Sequence, residues 1–130
     1  MEKYYLLDTH SLLWFFNGDK NLSMNARKAI ANTSNRCFVS MASLWEMAIK
    51  IKLGKLTIDF ALEDLTKHLK HNQIQILPIA FEHILFTLKL TEYHRDPFDR
   101  LIIAQAQIEK LIIISKDKNF QQYAGTKLLW

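Results

Sequence analysis

Short apolar segments alternate along the chain with longer amphipathic segments. Residues 4–7, 37–40 and 74–77 are apolar runs without strict alternation of polar and apolar positions. Such runs are typical of strands that are covered on both faces of a sheet. Residues 111–114, Leu-Ile-Ile-Ile, give the strongest strand pattern, and residues 127–130 are consistent with a last strand at the edge of the sheet.

The segments between these strands have the apolar spacing and the end residues of helices. Gly18 and Gly54 each follow such a segment and suit helix C-termini, and Pro97 suits a first helical turn. The predicted helices are residues 9–16, 24–33, 41–53, 61–70, 80–90, 97–110 and 119–123. Strands that alternate with helices predict βαβ crossovers, so we expect an α/β fold with a mostly parallel sheet and helices on both faces.

The length and composition predict one globular domain over residues 1–130. About half of the 130 residues are hydrophobic, and the chain has only 3 glycines and 2 prolines. No apolar run reaches the ~20 residues of a membrane span, and the N-terminus lacks the pattern of a secretion signal. Cys37 is the only cysteine, so an internal disulfide is impossible. A cytoplasmic protein with a reduced, buried thiol is expected.

Four acidic residues occupy similar positions relative to the predicted elements. Asp8 and Asp117 follow two of the most hydrophobic strands, while Glu46 and Asp99 lie near the starts of two apolar helices. Ligands of parallel α/β sheets bind beyond the carboxyl ends of the strands. Each acid also has a structural explanation, because carboxylates cap helices and Glu46 can pair with Lys50 one turn later.

Taken together, the four acids predict a cation site. Four carboxylates at one edge of a sheet repel each other, and either raised pKa values or a bound cation must offset that repulsion. Oxygen ligands without a histidine or cysteine set suit Mg²⁺ or Mn²⁺, which serve phosphate chemistry. The formal charge of the chain is +4, so the rest of the chain carries +8 when the four acids are set aside as cation ligands. A basic surround of this kind suits a nucleic-acid backbone.

Other common sites are absent from the sequence. The three glycines are spaced neither as G-x-G nor as G-x-x-x-x-G-K, so the glycine motifs of nucleotide-binding loops are absent. No spacing of histidines and cysteines suggests zinc, and no serine lies in a G-x-S-x-G turn.

An ordered set of motifs over essentially the whole chain resembles the PIN-domain family. The likeness is closest to the VapC-type toxins of bacterial toxin–antitoxin pairs. The motifs are Leu6-Leu7-Asp8-Thr9-His10, Val39-Ser40, Leu44-Trp45-Glu46-Met47-Ala48, Lys52-Leu53-Gly54-Lys55-Leu56, His94-Arg95-Asp96-Pro97-Phe98-Asp99-Arg100-Leu101-Ile102-Ile103-Ala104-Gln105-Ala106 and Ser115-Lys116-Asp117.

The resemblance implies a three-layer α/β/α domain with a five-stranded parallel sheet. It implies a ribonuclease that depends on Mg²⁺ or Mn²⁺, that forms a homodimer and that a cognate antitoxin inhibits. The acidic quartet of the family falls on Asp8, Glu46, Asp99 and Asp117. Ser115 stands where the family often has threonine, and Asp96 is expected to act as a helix cap.

The expected mechanism is metal-assisted hydrolysis of RNA. Asp8, Asp99 and Asp117 are expected to hold the cation, and Glu46 to complete the cluster. Thr9 and Ser115 are expected to orient these ligands through hydrogen bonds. The RNA backbone is expected to be steered by Arg95, Arg100 and Lys116. An antitoxin is expected to cover a groove near Trp14, Phe16 and Trp45.

Three alternatives remain open. A nuclease of the same fold could act on DNA, although the chain is short for an arch that threads a DNA strand. A receiver-type signalling module would need an aspartate after the third strand, where Pro78 follows instead. A non-catalytic binding or scaffolding domain would use all four acids as caps. This last alternative predicts no Mn²⁺ site that is lost on Asp8→Asn.

Overall fold

The computed structural model describes residues 2–93 and 96–130 of the chain. In this part of the chain five strands form one sheet in the order β3-β2-β1-β4-β5, and every neighbouring pair is parallel. The strands are β1 (Tyr4–Leu7), β2 (Arg36–Ser40), β3 (Ile74–Leu77), β4 (Ile112–Ile114) and β5 (Leu128–Leu129). The predicted strands are therefore all present, and the last one is an edge strand.

Six α-helices connect these strands within residues 2–93 and 96–130: α1 (Thr9–Asn17), α2 (Met24–Ala31), α3 (Met41–Lys52), α4 (Leu65–His71), α5 (Phe81–Thr87) and α6 (Pro97–Glu109). The region predicted as one helix over residues 61–70 is a 3₁₀ turn, Leu62–Asp64, followed by α4. The segment after Asp117 is also a 3₁₀ helix, Lys118–Gln122. The fifth helix ends at Thr87, three residues earlier than predicted.

Side chains of β1 point alternately into two apolar cores. Tyr5 and Leu7 pack with residues of α1, α2, α3 and α4, whereas Leu6 packs on the other face with Ile102 and Ile103 of α6. Both faces of the sheet are thus buried, which explains why the strands lack alternating polar positions. The predicted three-layer α/β/α fold is confirmed.

Aspartate side chains cap the starts of α1 and α6. The Asp8 carboxylate accepts the Ser11 N–H at the start of α1, at 2.8 Å. Asp96 accepts the N–H groups of Phe98 and Asp99, at 2.9 and 3.3 Å, and so caps α6 ahead of Pro97. Both helices consequently begin with an acid beyond the carboxyl ends of the strands.

Helix α5 turns its polar residue inward and its apolar face outward. His83 is buried, and its imidazole accepts the Ala80 N–H at Nδ1 and lies 2.9 Å from the Glu109 carboxylate at Nε2. The predicted apolar side of the helix is exposed to solvent and consists of Phe81, Ile84, Leu85 and Leu88. None of the helices in residues 2–93 and 96–130 is both apolar enough and long enough to cross a bilayer.

Candidate active site

All four predicted acids line one pocket of about 340 Å³ beyond the carboxyl ends of β1 and β4. Its walls come from α1, α3, α6 and the segment after β4. The lining residues are Asp8, Thr9, His10, Trp14, Glu46, Lys50, Asp96, Asp99, Ile102, Lys116 and Asp117. Residues distant in sequence thus meet where ligands of parallel α/β sheets bind.

Asp8 is the best-anchored of the acids. Its backbone N–H continues the sheet by donating to the Ile114 carbonyl at 3.2 Å. Its carboxylate accepts hydrogen bonds from the Ser115 hydroxyl and from the Ser11 N–H. Burial raises the pKa of the Asp8 carboxyl, and the hydrogen bonds from Ser115 and Ser11 partly oppose that rise. Asp8 is therefore both a helix cap and a wall of the pocket.

Ser115 connects two of the acids. While its hydroxyl donates to Asp8, the same oxygen accepts the Asp117 N–H at 2.9 Å. Asp117 in turn caps the 3₁₀ helix by accepting the Asn119 N–H, also at 2.9 Å. The serine is buried and holds the two aspartates at a set separation.

Glu46 is buried in the pocket, and both of its carboxylate oxygens are engaged. Oε1 accepts the Thr9 hydroxyl at 2.7 Å, and Oε2 lies 3.0 Å from the Lys50 ammonium. The predicted pair between Glu46 and Lys50 is therefore present. The side chain of Glu46 is only 10% exposed, whereas that of Lys50 is 38% exposed.

Asp99 shows how closely the negative charges are grouped. Its carboxyl pKa is raised to about 7, first by burial and then by the charges of Asp96, Asp117, Glu46 and Asp8. A carboxyl group with this pKa is close to half protonated at neutral pH, and a cation is the ordinary means of restoring the charged form.

The set of donors fits a hard divalent cation. The five carboxylates and two lysines of the lining leave three net negative charges, and the acids offer only oxygen ligands. Within residues 2–93 and 96–130, Glu46 has a lysine partner, whereas the four aspartates of the lining have none: Asp8, Asp96, Asp99 and Asp117. A Mg²⁺ or Mn²⁺ ion is the chemically matched occupant.

Asp96, which the sequence predicts as a helix cap alone, also lines the pocket. Among the neighbouring charges, it has the largest effect on the pKa of Asp99. The spacing of Asp96 and Asp99, three residues apart at a helix start, could have revealed this arrangement. Four further residues complete the wall and had not been assigned to the cation site: His10, Trp14, Lys50 and Ile102.

The three basic residues expected to steer RNA have different outcomes. Lys116 lines the pocket. The Arg100 guanidinium instead donates to the carbonyls of Thr87, Leu90 and Thr91, at 2.7, 3.3 and 3.3 Å, and so closes the end of α5. It is not brought to the pocket, because these three carbonyls engage it on another side of α6. Arg95 lies outside the described residues.

The aromatic residues that were expected to share one groove lie in different places. Trp14 lines the acidic pocket, with its ring 5.7 Å from that of His10 and 6.0 Å from that of Trp130. Phe16 packs against Phe60 at 6.1 Å. Trp45 lines a separate apolar groove of about 420 Å³ between α3 and the start of α6. The structure therefore does not bring these three residues into one groove, and the contact with an antitoxin stays a prediction.

A second group of side chains has metal-ligand chemistry but does not line the pocket. Glu82, His83 and Glu109 bring their ligand atoms within 4.8 Å of one another. The His83 nitrogens, however, contact the Ala80 N–H and the Glu109 carboxylate. With both nitrogens occupied, the imidazole serves the packing of α5 on α6.

The fold and the pocket together define an α/β protein with a carboxylate cluster beyond the carboxyl ends of its strands. The sequence pattern of the PIN domain matches residues 5–126, so the chain belongs to the PIN domain family, a family of nucleases. No curated protein is similar enough in sequence to count as a relative.

Solved structures of toxin–antitoxin complexes have the same fold. VapBC2 from Rickettsia felis, bound to a DNA fragment from its promoter, contains a chain with a TM-score of 0.72 and 16% identity, with 97% of each chain covered. DNA-bound VapBC from Salmonella typhimurium contains a chain with a TM-score of 0.65 and 18% identity, with 99% of this chain and 98% of that chain covered. VapBC-1 from nontypeable Haemophilus influenzae contains a chain with a TM-score of 0.66 and 19% identity, with 97% of this chain and 96% of that chain covered. At these identities the likeness concerns the fold.

Proposed function

We propose that the protein is a metal-dependent endoribonuclease that hydrolyses RNA phosphodiester bonds and acts as the toxin of a toxin–antitoxin pair. The observation that carries the proposal is the grouping of Asp8, Glu46, Asp99 and Asp117 in one pocket of a PIN-family chain. The raised pKa of Asp99 supports it, because such crowding of acids is costly unless a cation is bound.

Asp8, Asp99 and Asp117 would hold Mg²⁺ or Mn²⁺, and Glu46 would complete the cluster. When bound, such a cation lowers the pKa of a bound water and offsets charge on the phosphate under attack. The protein's own task is to hold the carboxylates in place before substrate arrives. Ser115 does this for Asp8 and Asp117, and Thr9 does it for Glu46.

A bound cation and two lysines would give the pocket positive groups for the backbone of a nucleic acid. Lys50 and Lys116 lie in the wall beside the acids, and either ammonium can reach a backbone phosphate of a strand laid across the pocket. The preference for RNA over DNA comes from the resemblance to VapC-type toxins, so both polymers belong in the test.

The toxin role and an antitoxin partner are supported by the fold shared with chains of VapBC complexes. A homodimer is supported by exposed apolar side chains on two helices. These side chains are Met41 and Trp45 on α3, Phe81, Ile84 and Leu85 on α5, and Leu88 directly after α5. Light scattering on the purified protein tests the dimer, and Leu88→Glu with Phe81→Glu should give a monomer.

The decisive experiment is RNA cleavage by the purified protein with Mg²⁺ or Mn²⁺, with EDTA, and with a DNA strand of the same sequence. Asp8→Asn and Asp99→Asn are purified identically, and Asp59→Asn, an exposed carboxylate outside the pocket, is the matched control. We expect activity that needs the metal, that persists in Asp59→Asn and that disappears in the two site variants. Equal activity in all variants would indicate a contaminating nuclease and contradict the proposal.

A non-catalytic binding domain is the second candidate, and one observation favours it. Asp8, Asp96 and Asp117 each cap a helix, so their presence has a structural explanation. A Mn²⁺ titration separates the two functions. A site that is lost on Asp99→Asn, a residue that caps no helix in the structure, supports the nuclease; the absence of Mn²⁺ binding supports the binding domain.

A further inference from the structure

Lys50 is held in the wall of the acidic pocket by a chain of contacts that begins on another helix. The Thr9 hydroxyl of α1 donates to Glu46 Oε1 at 2.7 Å, and Glu46 Oε2 lies 3.0 Å from Lys50 Nζ. Thr9 and Glu46 are both buried, so this chain is shielded from water over most of its length. The ammonium at its end is partly exposed and faces the pocket.

We propose that Lys50 contacts a backbone phosphate of the nucleic-acid substrate, and that Glu46 is a positioning residue that acts through Lys50. The inference rests on the proposed nuclease function and refines it. Glu46 would then contribute to cleavage chiefly by fixing the ammonium, while Asp8, Asp99 and Asp117 serve the cation.

The engagement of Glu46 distinguishes it from the three aspartates. Each of its oxygens already has a close polar partner, one neutral and one cationic. A carboxylate that is neutralised by an ammonium is a weaker ligand for a divalent cation, because binding the cation requires breaking or sharing that pair. Among the described residues Asp99 has no such lysine, and its pKa is raised by burial and then by the charges of the neighbouring acids.

Lys50 is the better placed of the two lysines in the pocket. Lys116 is exposed and has no ion pair among the described residues, so its ammonium is free to move. An ammonium has three N–H donors, and the contact with Glu46 uses one of them. The remaining donors of Lys50 are available to a phosphate oxygen, and a pre-positioned cation loses less entropy on binding than a mobile one.

The structural alternative is that Lys50 only neutralises Glu46. With that role alone, loss of Lys50 would leave the buried Glu46 carboxylate without its cationic partner, which affects stability but hardly affects the binding of nucleic acid. The two roles differ in the salt dependence of binding, because only a phosphate contact displaces counterions from the strand.

The test compares Lys50→Met with Lys52→Met, a matched control at an exposed lysine of the same helix that does not line the pocket. The probe is a short fluorescein-labelled single-stranded RNA, with Ca²⁺ in place of Mg²⁺ to allow binding without turnover. Anisotropy is measured over a range of KCl concentrations. For Lys50→Met we expect the slope of log K against log salt to decrease by about 0.7, the value for one phosphate contact on a single strand, with no change for Lys52→Met.

Cleavage and cation binding give the second set of readouts. At saturating Mn²⁺ we expect kcat/KM to fall by about 10- to 100-fold in Lys50→Met, and Lys50→Arg to recover part of it. Mn²⁺ affinity in Lys50→Met should equal or exceed that of the unaltered protein, because a competing positive charge is gone. An unchanged salt slope, or a loss of Mn²⁺ binding together with activity, would overturn the proposal.

A double-mutant cycle tests the role of Glu46. Glu46→Gln keeps an oxygen for the Thr9 hydroxyl but removes the charge that holds Lys50. If Glu46 acts through Lys50, the double variant should cleave RNA no more slowly than Lys50→Met alone. Additive losses would show that Glu46 has an independent role and would reject its assignment as a positioning residue.

The same experiments separate this proposal from the proposed function. If the unaltered protein shows no metal-dependent cleavage but Lys50→Met still lowers the salt slope, the nuclease function fails and the phosphate contact stands. If cleavage depends on Asp8 and Asp99 while Lys50→Met behaves like Lys52→Met, only the role of Lys50 fails.

Discussion

The Ser115 hydroxyl donates a hydrogen bond to Oδ2 of Asp8, and so it joins the carboxyl ends of the neighbouring strands β1 and β4. The contact lowers the pKa of an aspartate that burial would otherwise raise further. It also leaves the second carboxylate oxygen to the Ser11 N–H. A carboxylate held in this way keeps its orientation for a cation.

Removing this hydroxyl should weaken cation binding. In Ser115→Ala the Asp8 carboxylate loses a donor, its pKa rises further, and the Asp117 N–H loses its acceptor. We expect Mn²⁺ affinity, measured by calorimetry near neutral pH, to fall by about 10-fold. Ser115→Thr keeps the hydroxyl and should bind Mn²⁺ within about 3-fold of the unaltered protein. Equal affinity in all three proteins would mean that the serine does not support the site.

The pKa of Asp99 predicts how the cation-free protein responds to pH. The folded-state carboxyl titrates at about 7, against an ordinary value of 3.8. Folding therefore takes up a proton between these two values, so stability in EDTA should fall as the pH rises through this window. Denaturant titrations at about pH 5 and about pH 8 measure the change. Asp99→Asn should reduce this pH dependence, whereas Asp59→Asn should leave it unchanged.

Cation binding should reverse that loss. A divalent ion that binds only the folded state raises the melting temperature, and it favours the charged form of Asp99. We expect Mn²⁺ to stabilise the protein more at about pH 8 than at about pH 5, since at the lower pH Asp99 must first release a proton. The thermal shift should be abolished in Asp99→Asn. A shift of equal size at both pH values would indicate that the ion binds elsewhere.

Local sequence patterns predicted the fold well because both faces of the sheet are buried. Unbroken apolar runs mark β1 and β4, and the residues that follow them, Asp8 and Asp117, had to lie at the same edge of a parallel sheet. Caps such as Asp96 with Pro97 are equally local and were also predicted. The positions of these acids in the pocket therefore follow from rules that a sequence can express.

Side-chain direction could not be predicted in the same way. The apolar spacing of residues 81–88 indicates an amphipathic helix but not which face packs on the protein. That choice depends on His83 meeting Glu109, 26 residues away in sequence. Likewise, Arg100 adjoins a pocket residue, yet its guanidinium turns toward the end of α5, where it donates to three backbone carbonyls that are distant from the pocket in sequence.

The buried contact between His83 and Glu109 predicts a large loss of stability on truncation. His83→Ala removes the acceptor of the Ala80 N–H and the partner of the Glu109 carboxylate, and it leaves a cavity between α5 and α6. We expect a loss of about 2–4 kcal/mol in the free energy of unfolding. His71→Ala, at an exposed histidine on α4, should change it by less than about 0.5 kcal/mol. Similar stability of both variants would contradict the assigned role.

Arg100 and Lys116 give the sharpest contrast between stability and function. Both were expected to steer RNA, but Arg100 closes the end of α5 while Lys116 lines the pocket. Arg100→Met should lower the free energy of unfolding by about 1–3 kcal/mol, because charge-assisted hydrogen bonds to three carbonyls are lost. Its RNA cleavage per folded molecule should stay within about 2-fold of the unaltered protein.

Lys116→Met should show the opposite result. Its free energy of unfolding should stay within about 0.5 kcal/mol of that of the unaltered protein, as for most exposed positions, while its RNA binding should be weaker. Urea unfolding and the anisotropy assay, run on the same preparations, measure both quantities. If Arg100→Met weakened RNA binding without loss of stability, its guanidinium would have to leave the α5 carbonyls when substrate binds. The steering role expected from the sequence would then be restored, since the helix end would only be the resting position of this side chain.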